Sequence, residues 1–254
     1  MMQNTVVLDK HALQGPAPDA QTSIKEGVVL CMNKPLSWTS ADVVRKVRFA
    51  LQRRWRLKKI KVGHAGTLDP LATGLLIICI GKATQLANFF QAQDKEYIAD
   101  ILFGATTPSY DLEHPVDRTY PWEHINEKIL EDALHRFLGE QQQVPPVYSA
   151  KVIDGIRAYE LARQGNAPKM KEHTICIHAL ETISFTPPRL TLKINCSKGT
   201  YIRSLARDLG AALESGAHLT ALHRSKSGPY TAEDAMSVED FEEFFKNEIK
   251  NTTV

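Results

Sequence analysis

Apolar residues cluster along this chain in segments whose lengths and spacings predict β-strands. Residues 27–33 and 75–80 are continuous apolar runs, a pattern typical of strands buried on both faces. Residues 95–104 instead alternate, and alternate side chains of a strand point to the same face. The inward positions of this strand are predicted to be Tyr97, Ala99, Ile101 and Phe103. Further strands are predicted over residues 174–185, 189–196 and 218–226.

Other segments repeat their apolar residues at the spacing of an amphipathic helix. Serine and threonine at 37–40 are typical helix caps, and they precede apolar residues at helical spacing, namely Val43, Val44, Val47 and Leu51. Helices are also predicted over residues 82–90 (with Leu86, Phe89 and Phe90 inward), 125–138, 156–164, 201–215 and 238–245. Because helices alternate irregularly with pairs of adjacent strands, we expect an α+β fold with a mixed or antiparallel central sheet flanked by helices.

Changes in composition predict three regions. Residues 1–26 mix polar residues, alanine and proline around one apolar patch at Val6–Leu8, and are expected to form an N-terminal arm. Residues 27–235 are expected to form the main domain. Val144-Pro-Pro146 is predicted to break its regular structure, and residues 144–172 are expected to project from it as a basic insertion. Residues 236–254 are predicted to form a helix and a tail, with the acidic helix packed on the domain.

Composition narrows the class of protein. The chain has 254 residues, 43% hydrophobic and 24% charged, which is ordinary for a globular protein in water. No CxxC pair or zinc spacing is present, so reduced and mostly buried thiols are expected at Cys31, Cys79, Cys176 and Cys196. No signal peptide is recognisable and no apolar run approaches membrane-spanning length. These features predict a cytoplasmic location without membrane contact.

Although the net charge is only +2, residues 45–61 form one strongly basic segment. No acidic residue interrupts its nine cations, which are Arg45, Lys46, Arg48, Arg53, Arg54, Arg56, Lys58, Lys59 and Lys61. A solvated helix face would explain a charge run, but such faces normally mix both signs. A cluster of one sign therefore favours contacts with phosphate groups.

The clearest candidate for a catalytic loop is residues 61–74, directly before the apolar run at 75–80. Glycines in this segment permit positive φ or close backbone approach, and Pro70 disfavours a helical conformation for Asp69 before it. A short carboxylate on a rigid loop can act as a nucleophile or base. An ordinary turn would use the same residue types, so composition alone leaves both interpretations open.

The sequences of this loop and of two distant segments resemble the motifs of one family. Residues 63–74 read Gly-His-Ala-Gly-Thr-Leu-Asp-Pro-Leu-Ala-Thr-Gly, and residues 196–203 read Cys-Ser-Lys-Gly-Thr-Tyr-Ile-Arg. Residues 28–35 read Val-Val-Leu-Cys-Met-Asn-Lys-Pro, followed at 37–40 by Ser-Trp-Thr-Ser. In this order the segments resemble the motifs of the TruB family of tRNA pseudouridine synthases.

The resemblance implies a chemistry and three catalytic residues. Isomerising uridine requires an ionised nucleophile, a group that handles the proton at C5, and a pocket for a base taken out of its stack. By the motif match the nucleophile is Asp69, which attacks either the ribose C1′ or the uracil C6. Arg203 is the expected partner that keeps Asp69 ionised, and Tyr97 is expected to stack on the uracil and relay a proton. A surface role for Arg203 or a core role for Tyr97 is the alternative.

Seven further residues are assigned to RNA binding by the same resemblance. His64 matches a histidine that helps to hold the RNA loop open once the base has left. By their motif positions Lys34 and Lys198 are expected to be structural or phosphate-contacting cations, Tyr201 is an RNA contact, and Asp111 is an acid lining the site. The insertion at 144–172 resembles a thumb that grips the T-arm, and its expected RNA contacts are Lys151 and Arg157.

The expected partner is therefore tRNA, bound through its T-arm, with uridine 55 as the substrate. No cofactor, metal or obligatory protein partner is implied, and a monomer is expected. Many relatives carry a C-terminal PUA module, which we do not expect here because the sequence after Tyr230 is short. Two alternatives stay open: an RNA-folding factor on the same scaffold, and a guide-RNA-dependent synthase.

Overall fold

The fold is α+β with a mixed sheet, as the sequence predicts. The computed structural model describes residues 5–14, 26–149, 151–153, 155–164, 166 and 168–247. Within these ranges the strands are β1 (Val6–Leu8), β2 (Val28–Lys34), β3 (Val62–His64), β4 (Ala72–Ile80), β5 (Lys95–Phe103), β6 (Ala105–Thr106), β7 (Arg118–Thr119), β8 (Gly139–Gln143), β9 (Val152–Ile153), β10 (Ile156–Arg157), β11 (His173–Thr186), β12 (Arg189–Cys196), β13 (Ala217–Ser227) and β14 (Tyr230–Thr231). The α-helices are α1 (Ser40–Trp55), α2 (Ala87–Ala92), α3 (Glu127–Arg136), α4 (Ala158–Arg163), α5 (Ile202–Ala212) and α6 (Val238–Asn247).

Two compact units make up the chain. The first contains residues Met1–Lys95 and His223–Val254, and the second contains Glu96–Leu222, so the chain passes from one unit to the other within β5 and again within β13. The domain limits expected at residues 27 and 235 follow changes in composition and stay predictions. Of the expected N-terminal arm, residues 1–4 and 15–25 lie outside the described residues, as do residues 248–254 of the expected tail.

In the first unit, β2 and β4 form the centre of the core. They pair antiparallel from Val28↔Ile80 to Lys34↔Gly74, and every residue from 74 to 80 is buried. The apolar patch at Val6–Leu8 forms β1, which pairs parallel with β2. A capping box at Thr39 and Asp42 starts α1, and its apolar stripe is buried as predicted. These contacts make the strand that follows Asp69 one of the most enclosed parts of the unit.

In the second unit, the strand order is β5-β12-β11-β8. The alternation in β5 is confirmed, because Tyr97, Ala99, Ile101 and Phe103 are all buried. Its neighbour β12 forms a long antiparallel hairpin with β11, from Ile177↔Cys196 to Thr186↔Arg189. Helix α5 buries one face that includes Leu205 and Leu209. Arg203 lies in the first turn of this buried helix.

Several elements differ from the prediction. Strands β3 and β8 were not predicted, because β3 has three residues and β8 reads Gly-Glu-Gln-Gln-Gln, with no apolar alternation. The helix expected over residues 82–90 is a 3-10 helix at Gly81–Leu86 followed by α2. Phe90 is buried there, but Phe89 is 44% exposed, because the change of helix type rotates it away from the core.

Candidate active site

Asp69 is half-buried on the loop that joins β3 to β4. The residue before it, Leu68, is buried and is held by Ser40 in the first turn of α1. The Leu68 amide donates to Ser40 Oγ at 2.8 Å, and the hydroxyl donates to the Leu68 carbonyl at 3.1 Å. One side chain thus fixes both polar backbone groups of the residue that precedes the carboxylate.

The residue after Asp69 is held from another direction. The Pro70 carbonyl accepts from the Ser37 amide at 2.9 Å and from Lys34 Nζ at 3.2 Å. Lys34 is fully buried, and its ammonium also donates to the carbonyls of Pro35 at 2.9 Å and Trp38 at 2.5 Å. Lys34 was expected to be either a structural cation or one that contacts RNA, and a buried ammonium bonded to three carbonyls favours the structural role.

Burial lowers the pKa of Lys34 from 10.5 to about 8, and the negative charge of Asp69 opposes this shift. A buried ammonium loses its hydration and retains its charge only through carbonyl contacts and nearby carboxylates. Lys34 therefore combines two properties: it anchors the backbone after Asp69, and it interacts electrostatically with the Asp69 carboxylate.

Arg224 is a third support that sequence reasoning missed. Its guanidinium is buried and donates through Nε to the Leu75 carbonyl at 2.7 Å and through Nη2 to the Gly66 carbonyl at 3.2 Å. A Cβ at Gly74, where φ is +100°, would lie 2.4 Å from the Arg224 carbonyl oxygen. A glycine is required there both for its φ and for this close approach. Gly63, by contrast, has open space around it.

Arg203 lies in the second unit, at the start of α5, and only 3% of it is exposed. Its Nη1 donates to the Ser109 carbonyl at 3.2 Å, and its Nε lies 3.8 Å from Asp111 Oδ2. Asp111 is buried as well, and its Oδ1 accepts from the Glu113 amide at 3.0 Å. Because its side chain is buried, Arg203 does not cap a surface helix. Burying a guanidinium costs free energy unless partners such as these compensate its charge.

The start of α5 is itself anchored by a residue that the sequence did not single out. Gln143, at the end of β8, accepts from the Tyr201 amide at 2.8 Å and donates to the Tyr201 carbonyl at 3.1 Å. Ser204 Oγ donates to the Val144 carbonyl at 2.8 Å. These bonds hold the backbone on both sides of Arg203. The predicted break at residues 144–146 was the only sequence signal near this anchor.

The remaining predicted residues occupy different environments. Tyr97 is buried on β5, and His64 is half-buried on β3, opposite Ile78. Tyr201 is half-buried with its ring edge-on to His173 at 6.0 Å, while Lys198 is exposed in a turn. The expected roles of these four residues in RNA binding and proton transfer stay predictions.

The insertion contains a short hairpin, β9–β10, followed by α4. Gly155 turns the hairpin with φ +84°, Arg157 is exposed, and Lys151 is half-buried. Residues 150, 154, 165 and 167 of the insertion lie outside the described residues. Two contacts join the insertion to the loop that carries Asp111: an ion pair of Arg163 with Glu113 at 3.1 Å, and a tilted pair of the His114 and Tyr148 rings at 4.4 Å.

The basic segment within residues 45–61 is less uniform in the structure than in the sequence. Lys46 forms an ion pair with Glu242 of α6 at 2.7 Å, and Arg45 pairs with Asp42. The exposed cations that remain lie toward the end of α1 and beyond it, at Arg53, Arg56, Lys58, Lys59 and Lys61. Any phosphate-binding surface is therefore concentrated after the helix rather than along it.

Predicted site residues fall in both units. The first contains Asp69, His64 and Lys34, and the second contains Tyr97, Asp111, Arg203, Tyr201, Lys198, Lys151 and Arg157. The structure brings Arg203 and Asp111 together, while the pairing of Arg203 with Asp69 stays a prediction. Among the described residues, no group of three or more His, Cys, Asp and Glu side chains could hold a metal ion. No helix in the described ranges is long and apolar enough to cross a membrane.

Comparison with known proteins gives two consecutive family matches. A family model described as TruB family pseudouridylate synthase (N terminal domain) matches residues 53–202, and one described as tRNA pseudouridylate synthase B C-terminal domain matches residues 203–253. A relative named tRNA pseudouridine synthase B, from Phocaeicola vulgatus, is 54% identical over 87% of this chain and 94% of its own. A relative of the same name from Syntrophotalea carbinolica is 41% identical over 84% of this chain and 68% of its own.

Solved structures share the fold. A chain in the crystal structure of a Cbf5-Nop10-Gar1 complex is 25% identical, with a TM-score of 0.68 over 92% of this chain, which spans 59% of that solved chain. A chain in an H/ACA RNP bound to a substrate RNA gives a TM-score of 0.65 at 23% identity, which shows the fold alone. The matched family models define the class, the pseudouridylate synthases. Within that class, the chain belongs to the TruB family.

The buried Lys34 generates a prediction about stability. Because its pKa is about 8 in the folded chain and 10.5 ordinarily, the unfolded chain holds an extra proton between these pH values. Stability contributed by this residue therefore rises with pH through that window. In urea unfolding, wild type should gain about 1–3 kcal/mol relative to Lys34→Met between pH 7.5 and pH 10. Lys128→Met, an exposed lysine on α3, is the control; a flat or falling difference for Lys34→Met would contradict this expectation.

A double-mutant cycle tests the buried pair of Asp111 and Arg203. Replacing either residue by alanine leaves a buried charge without this partner and should cost about 3–5 kcal/mol of unfolding free energy. The double variant should cost less than the sum by about 1–3 kcal/mol. The exposed pair of Glu181 and Lys193, 3.2 Å apart, should show a coupling below about 1 kcal/mol in the same assay. Additive effects at Asp111 and Arg203 would rule out their direct interaction.

Proposed function

We propose that this chain isomerises uridine 55 in the T-loop of tRNA to pseudouridine. The observation that carries the proposal is Asp69, which lies in the Gly-Thr-Leu-Asp-Pro loop of a TruB-family chain and is held on both sides by buried contacts. The identity of 54% to a relative named tRNA pseudouridine synthase B supports tRNA as the substrate. Uridine 55 as the target follows from the family resemblance.

Asp69 acts as the nucleophile in this proposal. The bond between C1′ and N1 of uridine breaks, the base rotates, and a bond forms between C1′ and C5. The proton lost from C5 is balanced by one gained at N1, so the uridine and its product have the same composition. Attack by Asp69 on C1′ or on C6 would each satisfy this balance. Since no electrons are transferred to an acceptor, the reaction requires no redox cofactor.

Arg203 and Tyr97 complete the proposed chemistry. Arg203 offsets the negative charge that RNA phosphates bring near Asp69, and thereby favours the ionised carboxylate. Asp111 and Gln143 act as positioning residues, because they hold the Arg203 side chain and its backbone. Tyr97 stacks on the flipped uracil, and its hydroxyl handles the proton at C5.

RNA binding uses both exposed cations and the insertion. His64 takes the space that the flipped base leaves, and Lys198, Tyr201, Lys151 and Arg157 contact the T-arm. The contacts of Glu113 with Arg163 and of His114 with Tyr148 join the insertion to the loop that carries Asp111. The chain acts as a monomer in the cytoplasm, where its four free cysteines stay reduced.

A second candidate is guide-RNA-dependent modification, since a chain of the Cbf5-Nop10-Gar1 complex shares the fold. Activity on tRNA without added protein or guide RNA separates this candidate from the first. A third candidate, an RNA-folding factor, predicts that a catalytically inert Asp69→Asn still promotes tRNA folding. The higher identity to relatives named tRNA pseudouridine synthase B favours the first proposal.

The direct experiment incubates the pure protein with an unmodified tRNA transcript and maps pseudouridine chemically. Wild type should form product at position 55, and Asp69→Asn should be slower by roughly 10³-fold or more, because the nucleophile is lost. Asp132→Asn, an exposed carboxylate on α3, controls for the loss of charge, and a chelator should have no effect. A transcript with cytidine at position 55 should give no product.

Either of two results would overturn this proposal. Product formed equally fast by Asp69→Asn would remove the mechanism, and product at a different uridine would redirect the substrate assignment. Retained folding of each variant, checked by its urea unfolding curve, keeps a loss of rate from being mistaken for a loss of structure.

A further inference from the structure

A groove of about 480 Å³ lies in the second unit, between α3 and the second half of β11. Apolar side chains are prominent in its lining. Leu130 and Leu134 of α3 are buried beside it, whereas Leu138 and Ile183 remain 42% and 51% exposed. Covering apolar surface of this kind is favourable, so the groove is suited to holding a ligand.

The groove follows an edge of β11 that has no strand partner in the described part of the chain. Strand β8 pairs with β11 only over residues 173–177, whereas β12 pairs with it over residues 177–186. On the side away from β12, the second half of β11 therefore adjoins the groove and not another strand. The lining includes the consecutive residues Ser184 and Phe185, which point to opposite faces of a strand. The groove thus reaches the edge of the sheet itself.

A bulge in β11 presents an apolar side chain at this edge. The register against β12 shifts between Thr182 and Ser184, so Ile183 has no paired residue on β12. A bulge re-aims the side chain of its extra residue. Natural sheet edges are blunted by charges, prolines or bulges, and residues 182–185 read Thr-Ile-Ser-Phe, without charge or proline. The bulge is thus the one such device in this stretch, and the side chain that it presents is apolar.

The charge of the lining indicates which class of macromolecule fits it. Glu127 and Glu131 of α3 are exposed there, and His135 is the other ionisable residue. No lysine or arginine belongs to the described lining. Carboxylates without an opposing cation repel phosphate groups and attract basic side chains. The groove therefore favours a basic protein segment over RNA.

An extended conformation is the one that suits this edge. Residues 180–185 of β11 span about 20 Å, which matches an added strand of about six residues. Such a segment takes up the open backbone groups of the edge, and its alternate side chains fill the pockets beside it. Apolar side chains would pack against Leu130 and Leu134, and basic residues of the same segment would pair with Glu127 and Glu131.

We propose that this groove binds a partner protein through an extended segment that carries both basic and apolar residues and adds to β11 as a further strand. The inference goes beyond the proposed function, because it uses neither Asp69 nor bound RNA. It gives the chain a protein-binding surface that the isomerisation itself does not require.

The probe is a synthetic peptide of about eight residues in which valine and lysine alternate. Fluorescence anisotropy gives its Kd for the full chain at low and at high salt. Two matched peptides carry N-methyl groups on alternate residues, one on the even and one on the odd positions. Each of them lacks the backbone donors along one edge of the peptide and keeps its side chains, so one should bind at least about 10-fold more weakly than the other.

Two groove variants are compared with the wild type. Ile183→Thr removes the apolar side chain and keeps a residue that favours strands, and it should weaken peptide binding by about 10-fold. Glu127→Gln/Glu131→Gln should weaken it by roughly 3- to 10-fold at low salt and by less at high salt. Glu172→Gln/Glu239→Gln, which replaces two exposed carboxylates outside the lining, is the control and should leave the Kd unchanged. Urea unfolding curves verify that every variant is folded.

Four results would overturn the proposal. Absent binding of the alternating peptide up to about 1 mM would remove the site. Methylated peptides that both bind as tightly as the parent would exclude strand addition, and equal effects of the two glutamate variants would show a general charge effect. Self-association of the wild type that Ile183→Thr abolishes, without peptide binding, would assign the edge to a second copy of this chain. Failure of the proposed function is distinct, because it shows as absent pseudouridine while peptide binding is retained.

Discussion

The position of the Asp69 carboxylate depends on two buried anchors that hold the backbone on either side of it. Ser40 bonds both polar backbone groups of Leu68, and Lys34 bonds the carbonyl of Pro70. A loop of this length would otherwise sample many conformations, and a reacting group that moves by about 1 Å can lose about 10²-fold in rate. The anchors are the last residue of β2 and the first residue of α1, so hydrogen bonds join the motif at residues 28–40 to the motif at 63–74.

The second group of anchors holds a cation rather than a carboxylate. Arg203 is buried, so its guanidinium needs partners throughout folding and turnover, and Asp111 and the Ser109 carbonyl provide two of them. Gln143 and Ser204 hold the backbone around it. A buried charge adds little net stability, but it restricts the geometry strongly because few arrangements satisfy it. This restriction fixes the position of the Arg203 guanidinium within the second unit.

The sequence predicted those features that recur with a period or a motif. Apolar runs and alternation located β2, β4 and the buried face of β5, because burial of apolar surface is the main factor that decides which face of a segment points inward. It did not predict Gln143 or Arg224, because their bonds reach residues far away along the chain. The sequence left the role of Lys34 open for a related reason: an isolated lysine is usually exposed, and only the fold shows three carbonyls around this one.

If the anchored loop, and not only the presence of a carboxylate, sets the rate, then loosening an anchor must slow the reaction. The most direct test is the single-turnover rate of Ser40→Ala on saturating tRNA, with Thr39→Ala as the matched control. Thr39 caps the same helix through the Asp42 amide, whereas Ser40 bonds the loop itself. We expect Ser40→Ala to be slower by roughly 10–100-fold and Thr39→Ala to match the wild type. A wild-type rate for Ser40→Ala would contradict this account.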